Sequence, residues 1–239
     1  MSISSPTSVG DNAFAPGSSG YSYSPDRLLI TGFDIQIDNI VLASGAGALK
    51  RGTVLGRITL GAVTSAAKSG GNTGNGTCTP DATAPKQANA IAGIYTLRCI
   101  TAAANNGTFR LTDPRGRVLG DYIMAAGAVT ITNQIKVAIA DGATDFIVGD
   151  GFDVTIADGS TKFVKAVKTA LDGSATPVRV LVDDADATSA DCAAAGYREA
   201  GLVAGRLVID ASYTLAEIKT LLRDSGLVLK DALSAADPT

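Results

Sequence analysis

Apolar and polar residues alternate along much of the chain with the two-residue period of a β-strand. In the segment FDIQIDNIVLA, residues 33–43, apolar side chains at positions 33, 35 and 37 alternate with polar side chains at positions 34, 36 and 38. This pattern is typical of a half-buried strand. Similar apolar runs predict further strands at residues 53–60, 93–103, 178–182 and 203–209, among others. Glycine-rich turns separate the runs, so the pattern predicts a mainly β fold.

One segment near the end of the chain has the period of an amphipathic helix instead. Thr214 and Glu217 have the spacing of a capping box, and Gly226 stands where a C-terminal cap belongs. The residues between them predict a helix over 215–224, with an apolar stripe formed by Leu215, Ile218, Leu221 and Leu222.

A strong turn signal stands at Asp113-Pro114-Arg115-Gly116. Aspartate can accept hydrogen bonds from the backbone that follows it, proline fixes φ, and glycine ends the turn. The strand-like runs TFRLT and RVLGDYI lie on either side. Together they predict a β-hairpin.

Composition divides the chain into three parts. Residues 1–25 are rich in Ser, Gly and Pro and predict a flexible N-terminal arm. The run SAAKSGGNTGNGT, residues 65–77, is typical of a linker. We therefore expect a small β-rich domain with one or two short helices, formed by residues 26–65 and 160–239, that is interrupted by a β-sandwich-like insert at residues 66–159.

The overall composition excludes several functions. The chain has no histidine, which removes histidine-based triads, histidine acid–base catalysis and imidazole metal sites. Carboxylate or lysine chemistry stays open, but with the commonest catalytic residue absent we do not expect an enzyme. The net charge of −3 gives no reason to expect nucleic acid as a partner. No run is long enough to span a membrane, and the first residues lack the pattern of a signal peptide. The three cysteines are widely spaced and predict free thiols, with a Cys78–Cys99 disulfide as the alternative.

The segment GAGALKRG, residues 45–52, has glycines followed by Lys50 and Arg51, as a phosphate-binding loop would. A P-loop requires a second glycine just before its lysine and a helix after it, whereas here a strand is predicted. We therefore interpret the glycines as a turn, and Lys50 and Arg51 as solvated charges or contacts to a protein partner. No cofactor is expected.

Three aspartate-rich runs lie at residues 139–145, 148–159 and 182–188. Asp-Gly is a common turn dipeptide, so turns are the first interpretation. Asp183, Asp184 and Asp186 could also bind a hard cation, but alternation along a strand would point them to different faces. We predict no metal site.

Four segments resemble the lambda-type head decoration proteins of tailed bacteriophages. They are YSPDRLLITGF, IVLASGAGALKRGTVLGRIT, DGSATPVRVLVDDADAT and AGLVAGRLVI. The resemblance implies a structural virion protein that sits as a homotrimer at threefold positions on the outer surface of the expanded capsid, where it cements the major capsid protein. It would be made and assembled in the cytoplasm of the bacterial host. The insert is similar to Ig-like β modules of phage structural proteins and would project outward.

By this resemblance, residues 1–25 would add a strand to a sheet of the capsid protein. Phe14, Tyr21 and Tyr23 in the arm, with Lys50 and Arg51, are then the candidate capsid-binding residues. The alternative hypothesis is a β protein that binds carbohydrate or a host surface through the insert. The chain has no tryptophan and only 5 % aromatic residues, which weakens stacking on sugars.

Overall fold

The computed structural model describes residues 28–30 and 32–231, and within these ranges the protein is mainly β. It also contains the α-helix α1 (Leu215–Asp224) and a short 3-10 helix, Ala204–Arg206. No helix in these ranges is long and apolar enough to cross a membrane. The strands are β1 (Gln36–Leu42), β2 (Gly47–Leu49), β3 (Val54–Arg57), β4 (Leu60–Ala67), β5 (Thr77–Pro80), β6 (Gly93–Ala103), β7 (Asn106–Thr112), β8 (Val118–Met124), β9 (Ala128–Thr132), β10 (Lys136–Ala140), β11 (Gly151–Asp158), β12 (Phe163–Lys165), β13 (Pro177–Leu181), β14 (Ala185–Ala187), β15 (Cys192–Val203) and β16 (Leu227–Lys230).

Five strands from the two ends of the chain close into a small barrel. β12 lies between β1 and β3, and β13 lies between β3 and β15. Because β1 also pairs with β15, the ring is complete, and β16 extends it along the far part of β15. Closure leaves few free strand edges. The barrel wall is buried on both faces: Leu42, Leu55 and Leu181 belong to one apolar cluster, and Val180 and Leu202 belong to a second that includes Ile218 and Leu222 of α1.

Strands β4 to β11 form two further sheets around a core of their own. The first sheet has the order β4-β11-β6-β7-β8 and the second the order β5-β10-β9. Both supply side chains to one buried cluster, in which the Phe146 ring packs edge-on against Phe109 and Phe152. In the described ranges, none of these strands pairs with a barrel strand. We call this unit the sandwich; the domain boundaries themselves stay a prediction, and the one at residue 65 falls inside β4.

The predicted helix is confirmed. The Thr214 hydroxyl accepts a hydrogen bond from the Glu217 N–H, and the Glu217 carboxylate accepts one from the Thr214 N–H, which completes the capping box. Ile218 and Leu222 are buried, and Gly226 follows the helix with φ of +86°. The local signals were sufficient because each acts within one helical turn.

The predicted hairpin is confirmed as well. β7 and β8 pair antiparallel, and the Asp113 carboxylate accepts hydrogen bonds from the backbone N–H groups of Arg115 and Arg117. Asp113 is only 4 % exposed, and Gly116 has φ of +81°. The three free thiols are also confirmed, which excludes the Cys78–Cys99 disulfide.

The single strand predicted at residues 53–60 is wrong in extent. β3 ends at Arg57 in the barrel, and β4 begins at Leu60 in the sandwich. Between them, the N–H groups of Thr59 and Leu60 both donate to the Asp172 carbonyl oxygen, at 2.8 and 2.9 Å. The alternating pattern continues across this break, so only the tertiary contact reveals it.

The strand predicted at residues 203–209 is wrong. The chain turns through the 3-10 helix Ala204–Arg206, and Val208 then meets Thr53 in an isolated bridge. The long strand lies earlier, in β15, whose sequence CAAAGYREAGLV has weak β propensity. Pairing with β1, β13 and β16 stabilises it despite that propensity.

Candidate functional site

Lys50 and Arg51 lie in a tight turn between β2 and β3. The Lys50 carbonyl oxygen accepts hydrogen bonds from the N–H of Thr53 at 3.0 Å and from its hydroxyl at 2.6 Å. Gly52 has φ of +83°, a conformation that favours glycine. A Cβ at this position would also lie 3.0 Å from the Arg206 carbonyl oxygen. Local chemistry and close packing therefore hold the turn, which we call the basic turn.

Two aspartates between β13 and β14 face the basic turn. The Asp184 carboxylate accepts hydrogen bonds from the Lys50 ammonium and from the Arg51 N–H, both at 2.7 Å. The Arg51 guanidinium lies 3.7 Å from Asp183 and donates to the Tyr197 hydroxyl at 3.3 Å. The hydrogen bond from Lys50 lowers the pKa of Asp184, and the same bond raises the pKa of Lys50. Two positive charges thus face two negative ones.

This arrangement does not suit phosphate binding. The basic turn leads into β3, so no helix N-terminus points at it. Its lysine and arginine are already engaged by carboxylates, which an incoming anion would have to displace. The basic turn is therefore not a phosphate-binding loop, and Lys50 and Arg51 stay what the sequence made them, solvated charges or candidate contacts to the capsid.

The segments that carried the sequence resemblance lie side by side in the fold. β3 pairs with β13, and β2 pairs with β14. A Cβ on Gly56 of β3 would lie 1.8 Å from the Ser174 carbonyl oxygen, so only glycine permits this approach. The Ser174 N–H and hydroxyl both donate to the Asp172 carboxylate. Residues far apart in sequence thus build one continuous structural unit.

The first described residues run beside the end of β15. The Leu28 carbonyl oxygen accepts a hydrogen bond from the Val203 N–H at 2.8 Å, and the Ile30 N–H donates to Gly201 at 2.9 Å. Leu28 is 5 % exposed, and its side chain lies 3.6 Å from where a Cβ on Gly52 would be. The chain therefore enters the barrel next to the basic turn. Phe14, Tyr21 and Tyr23 lie outside the described residues.

The outer face of β1 exposes apolar side chains. Ile35, just before β1, is 47 % exposed, and Ile37 and Val41 within it are 50 and 41 % exposed. Ala193 and Ala195 of the neighbouring β15 lie on the same face, because they pair with Val41 and with the exposed Asn39 between Ile37 and Val41. These five residues form what we call the β1 strip. The alternation at positions 35 and 37 was the sequence signal for it, but it did not reveal that this face points outward.

The aspartates at positions 183, 184 and 186 do not form a cation site. Asp183 and Asp184 face the basic turn, and the Asp186 carboxylate accepts hydrogen bonds from the N–H and hydroxyl of Thr188. In the part of the chain that the structure describes, no three or more Asp, Glu or Cys side chains come together as a metal-binding group.

The family comparison covers the unit of β2, β3, β13 and β14 together with the strands between them. The family model described as bacteriophage lambda head decoration protein D matches residues 26–227. The chain belongs to this family. It is a structural protein of the phage head, so this decoration protein lies on the outside of the capsid and binds the major capsid protein.

Other comparisons add nothing to this assignment. No curated protein matches the decoration protein. A solved structure, FlgL from Xanthomonas campestris, is similar over 45 % of this chain and 33 % of its own length, at 21 % identity and a TM-score of 0.30. The chain thus spans about a third of that protein, and a TM-score this low carries no argument about fold or function.

Proposed function

We propose that the protein cements the expanded capsid as a homotrimer at threefold positions. Residues 1–25 would add a strand to a sheet of the major capsid protein, and the insert, residues 66–159, would project outward. The observation that carries this proposal is the position of Leu28, which packs beside the basic turn. The chain that precedes Leu28 therefore starts beside Lys50 and Arg51, so the arm and the basic turn would meet the same partner.

The energetics of the arm favour a sheet as its template. Ordering a backbone costs about 1–2 kcal/mol per residue, so a segment of this length needs many compensating contacts. Strand addition supplies backbone hydrogen bonds, and pockets for alternate side chains accommodate the aromatic residues. Three arms on one trimer act at high effective concentration, so each contact can be weak.

The β1 strip supports the trimer. Its exposed apolar side chains are suited to burial against another copy of the chain. We expect Ile37→Asp to convert trimers to monomers, because a carboxylate in the buried interface loses its hydration. Ile94→Asp is the matched control, since Ile94 is 52 % exposed on the sandwich. Mass measurement in solution distinguishes the variants, and a trimer that persists in Ile37→Asp contradicts this contact.

Reconstitution tests the cementing function. Purified protein is added to expanded, undecorated capsids, which are then imaged at high resolution. We expect density at the threefold positions for the full chain and none for a variant that lacks residues 1–25. Circular dichroism of that variant checks that the barrel and sandwich remain folded. Unoccupied threefold positions after addition of the full chain would contradict the proposal.

A cleft on the sandwich favours carbohydrate binding as a second candidate function. The cleft has a volume of about 580 Å³, and its lining includes Asn89 and Arg117, whose polar groups suit sugar hydroxyls. A glycan array probed with the full chain and with Arg117→Ala tests it. Glycan binding that Arg117→Ala abolishes supports this function, and an array without signal removes it.

A further inference from the structure

An unsatisfied carboxylate lies at one end of the sandwich, where β10 ends. Each carboxylate oxygen of Asp141 has less than 1 Å² of accessible surface and no hydrogen-bond partner. The side-chain oxygen of Asn106 is buried and unpartnered in the same way. A buried carboxylate is costly unless a hydrogen-bond donor or a cation compensates it. These three oxygens therefore require an explanation.

Asp141 follows the last residue of β10, and Asn106 is the first residue of β7, directly after the β6–β7 turn. The Asp141 N–H donates to the Gly127 carbonyl oxygen at 2.8 Å. A Cβ on Gly127 would lie 3.9 Å from the Asn105 carbonyl oxygen. On the other side, the Asp145 carboxylate accepts a hydrogen bond from the Asn105 N–H at 2.8 Å. The β6–β7 turn, which leads into Asn106, thus lies beside both the β8–β9 turn and the loop after β10 that carries Asp141.

Asp150 shows how these loops stabilise a carboxylate by hydrogen bonds alone. It is 2 % exposed and accepts hydrogen bonds from the N–H groups of Thr73, Gly74 and Ile147, at 2.9 to 3.1 Å. Burial pushes the pKa of Asp150 up, but these three bonds outweigh burial and leave its pKa below the ordinary value. Asp141 receives no such bond, so its charge calls for a different partner.

We propose that Asp141 is the primary ligand of a hard cation of the Ca²⁺ class, with the Asn106 side-chain oxygen as a second ligand. Ca²⁺ prefers carboxylate and amide oxygens and accepts backbone carbonyls and water in its remaining positions. Binding would tie the β6–β7 turn to the end of β10. The run IADGATD, whose Asp-Gly pair resembled a turn, then contains a ligand.

Asp141→Asn tests the proposal because it should raise Tm in the absence of Ca²⁺ and abolish the rise in Tm that Ca²⁺ causes. Without Ca²⁺, the neutral amide removes an unpaired buried charge, so we expect the variant to melt at a higher temperature than wild type. With Ca²⁺ at about a hundred times its Kd, we expect the wild-type Tm to rise by about 5 °C or more, while the variant does not respond. Differential scanning calorimetry with EDTA or CaCl₂, at matched ionic strength, measures both.

Asp121→Asn is the matched control. Asp121 lies on β8 of the same sandwich, but its carboxylate already pairs with Arg110 at 2.8 Å, so this variant keeps the full Ca²⁺ response. Asn106→Ala lowers the Ca²⁺ affinity about tenfold in a calorimetric titration, as expected for the loss of one ligand. The proposal is overturned if wild-type protein neither binds Ca²⁺ nor changes Tm at about 10 mM, or if Asp141→Asn keeps the full response.

Discussion

Single glycines decide where the segments of this molecule approach each other. Gly56 of β3 faces the Ser174 carbonyl oxygen so closely that a Cβ would lie 1.8 Å from it. The contact joins β3 to the Asp172–Ser174 turn, whose own side chains are hydrogen-bonded to each other. A backbone contact of this kind does not relax by changing a rotamer, since both partners are main chain. Gly56 is therefore required for the close approach of β3 to the Ser174 backbone.

We expect Gly56→Ala to destabilise the protein by about 3 kcal/mol or more, because the added methyl group must displace the Ser174 backbone. Gly205→Ala is the matched control, since no atom lies within 4 Å of a Cβ at that position. Urea denaturation of both variants measures the difference. Equal stability of the two variants would contradict this account of Gly56.

At the scale of elements, β15 organises the barrel although its sequence does not look like a strand. It pairs with β1 along one edge, with β13 and β16 along the other, and residues 28–30 continue the first edge. Its alanines and two glycines suit close packing of neighbouring strands: a Cβ on Gly196 would lie 3.2 Å from Ile40. Pairing with strands on both sides thus determines β15. The helix α1 is the opposite case, because residues at its own two ends form its caps.

The cap of α1 gives a prediction at this scale. Thr214→Ala removes the hydroxyl that accepts the Glu217 N–H, so we expect a loss of about 1 kcal/mol in the free energy of unfolding. Thr220→Ala is the same substitution in the middle of the same helix, where alanine has the better helix propensity, and it should be neutral or stabilising. Chemical denaturation compares them, and a larger loss in Thr220→Ala than in Thr214→Ala would refute the cap.

At the scale of the whole molecule, the barrel and the sandwich have separate cores, which predicts two unfolding transitions. Phe109→Ala leaves a cavity in the sandwich, and Leu181→Ala leaves one in the barrel; both side chains are fully buried. Each should cost about 2–5 kcal/mol. We expect scanning calorimetry to show that each variant lowers one transition and leaves the other in place. A single transition that both variants lower equally would contradict the proposed insert.

Acid stability is a second property of the whole molecule. Hydrogen bonds from lysine side chains are the main reason that the pKa values of Asp81, Asp210 and Glu217 are about 2. A carboxyl group with a lower pKa in the folded state stabilises the fold above its ordinary pKa and loses that effect as pH falls. We therefore expect Tm to be level from about pH 7 to 5 and to fall between about pH 4.5 and 2. Asp210→Asn should lower Tm at neutral pH and reduce the fall of Tm between about pH 4.5 and 2. A dependence of Tm on pH identical to that of the wild type would contradict the contribution of Asp210 to stability.

The sequence identified the candidate capsid-binding residues Lys50 and Arg51, but it did not reveal which residues surround them in the fold. Lys50 and Arg51 stood out as charges beside a turn, yet Asp183 and Asp184, which pair with them, are more than 130 residues away. The apolar residues of β1 were equally visible, but the two-residue period does not state which face is buried. Both facts depend on which strands become neighbours.

The sequence by itself determined the local structures and the family. The helix cap, the Asp113 turn and the β character of most strands depend on contacts within a few residues, and the family segments are linear. Tertiary structure decided the barrel closure, the split of residues 53–60 between two sheets, the course of β15 and the outward face of β1. Each of these depends on pairing between residues far apart in the chain, and the free energy of such pairing belongs to both partners rather than to either segment.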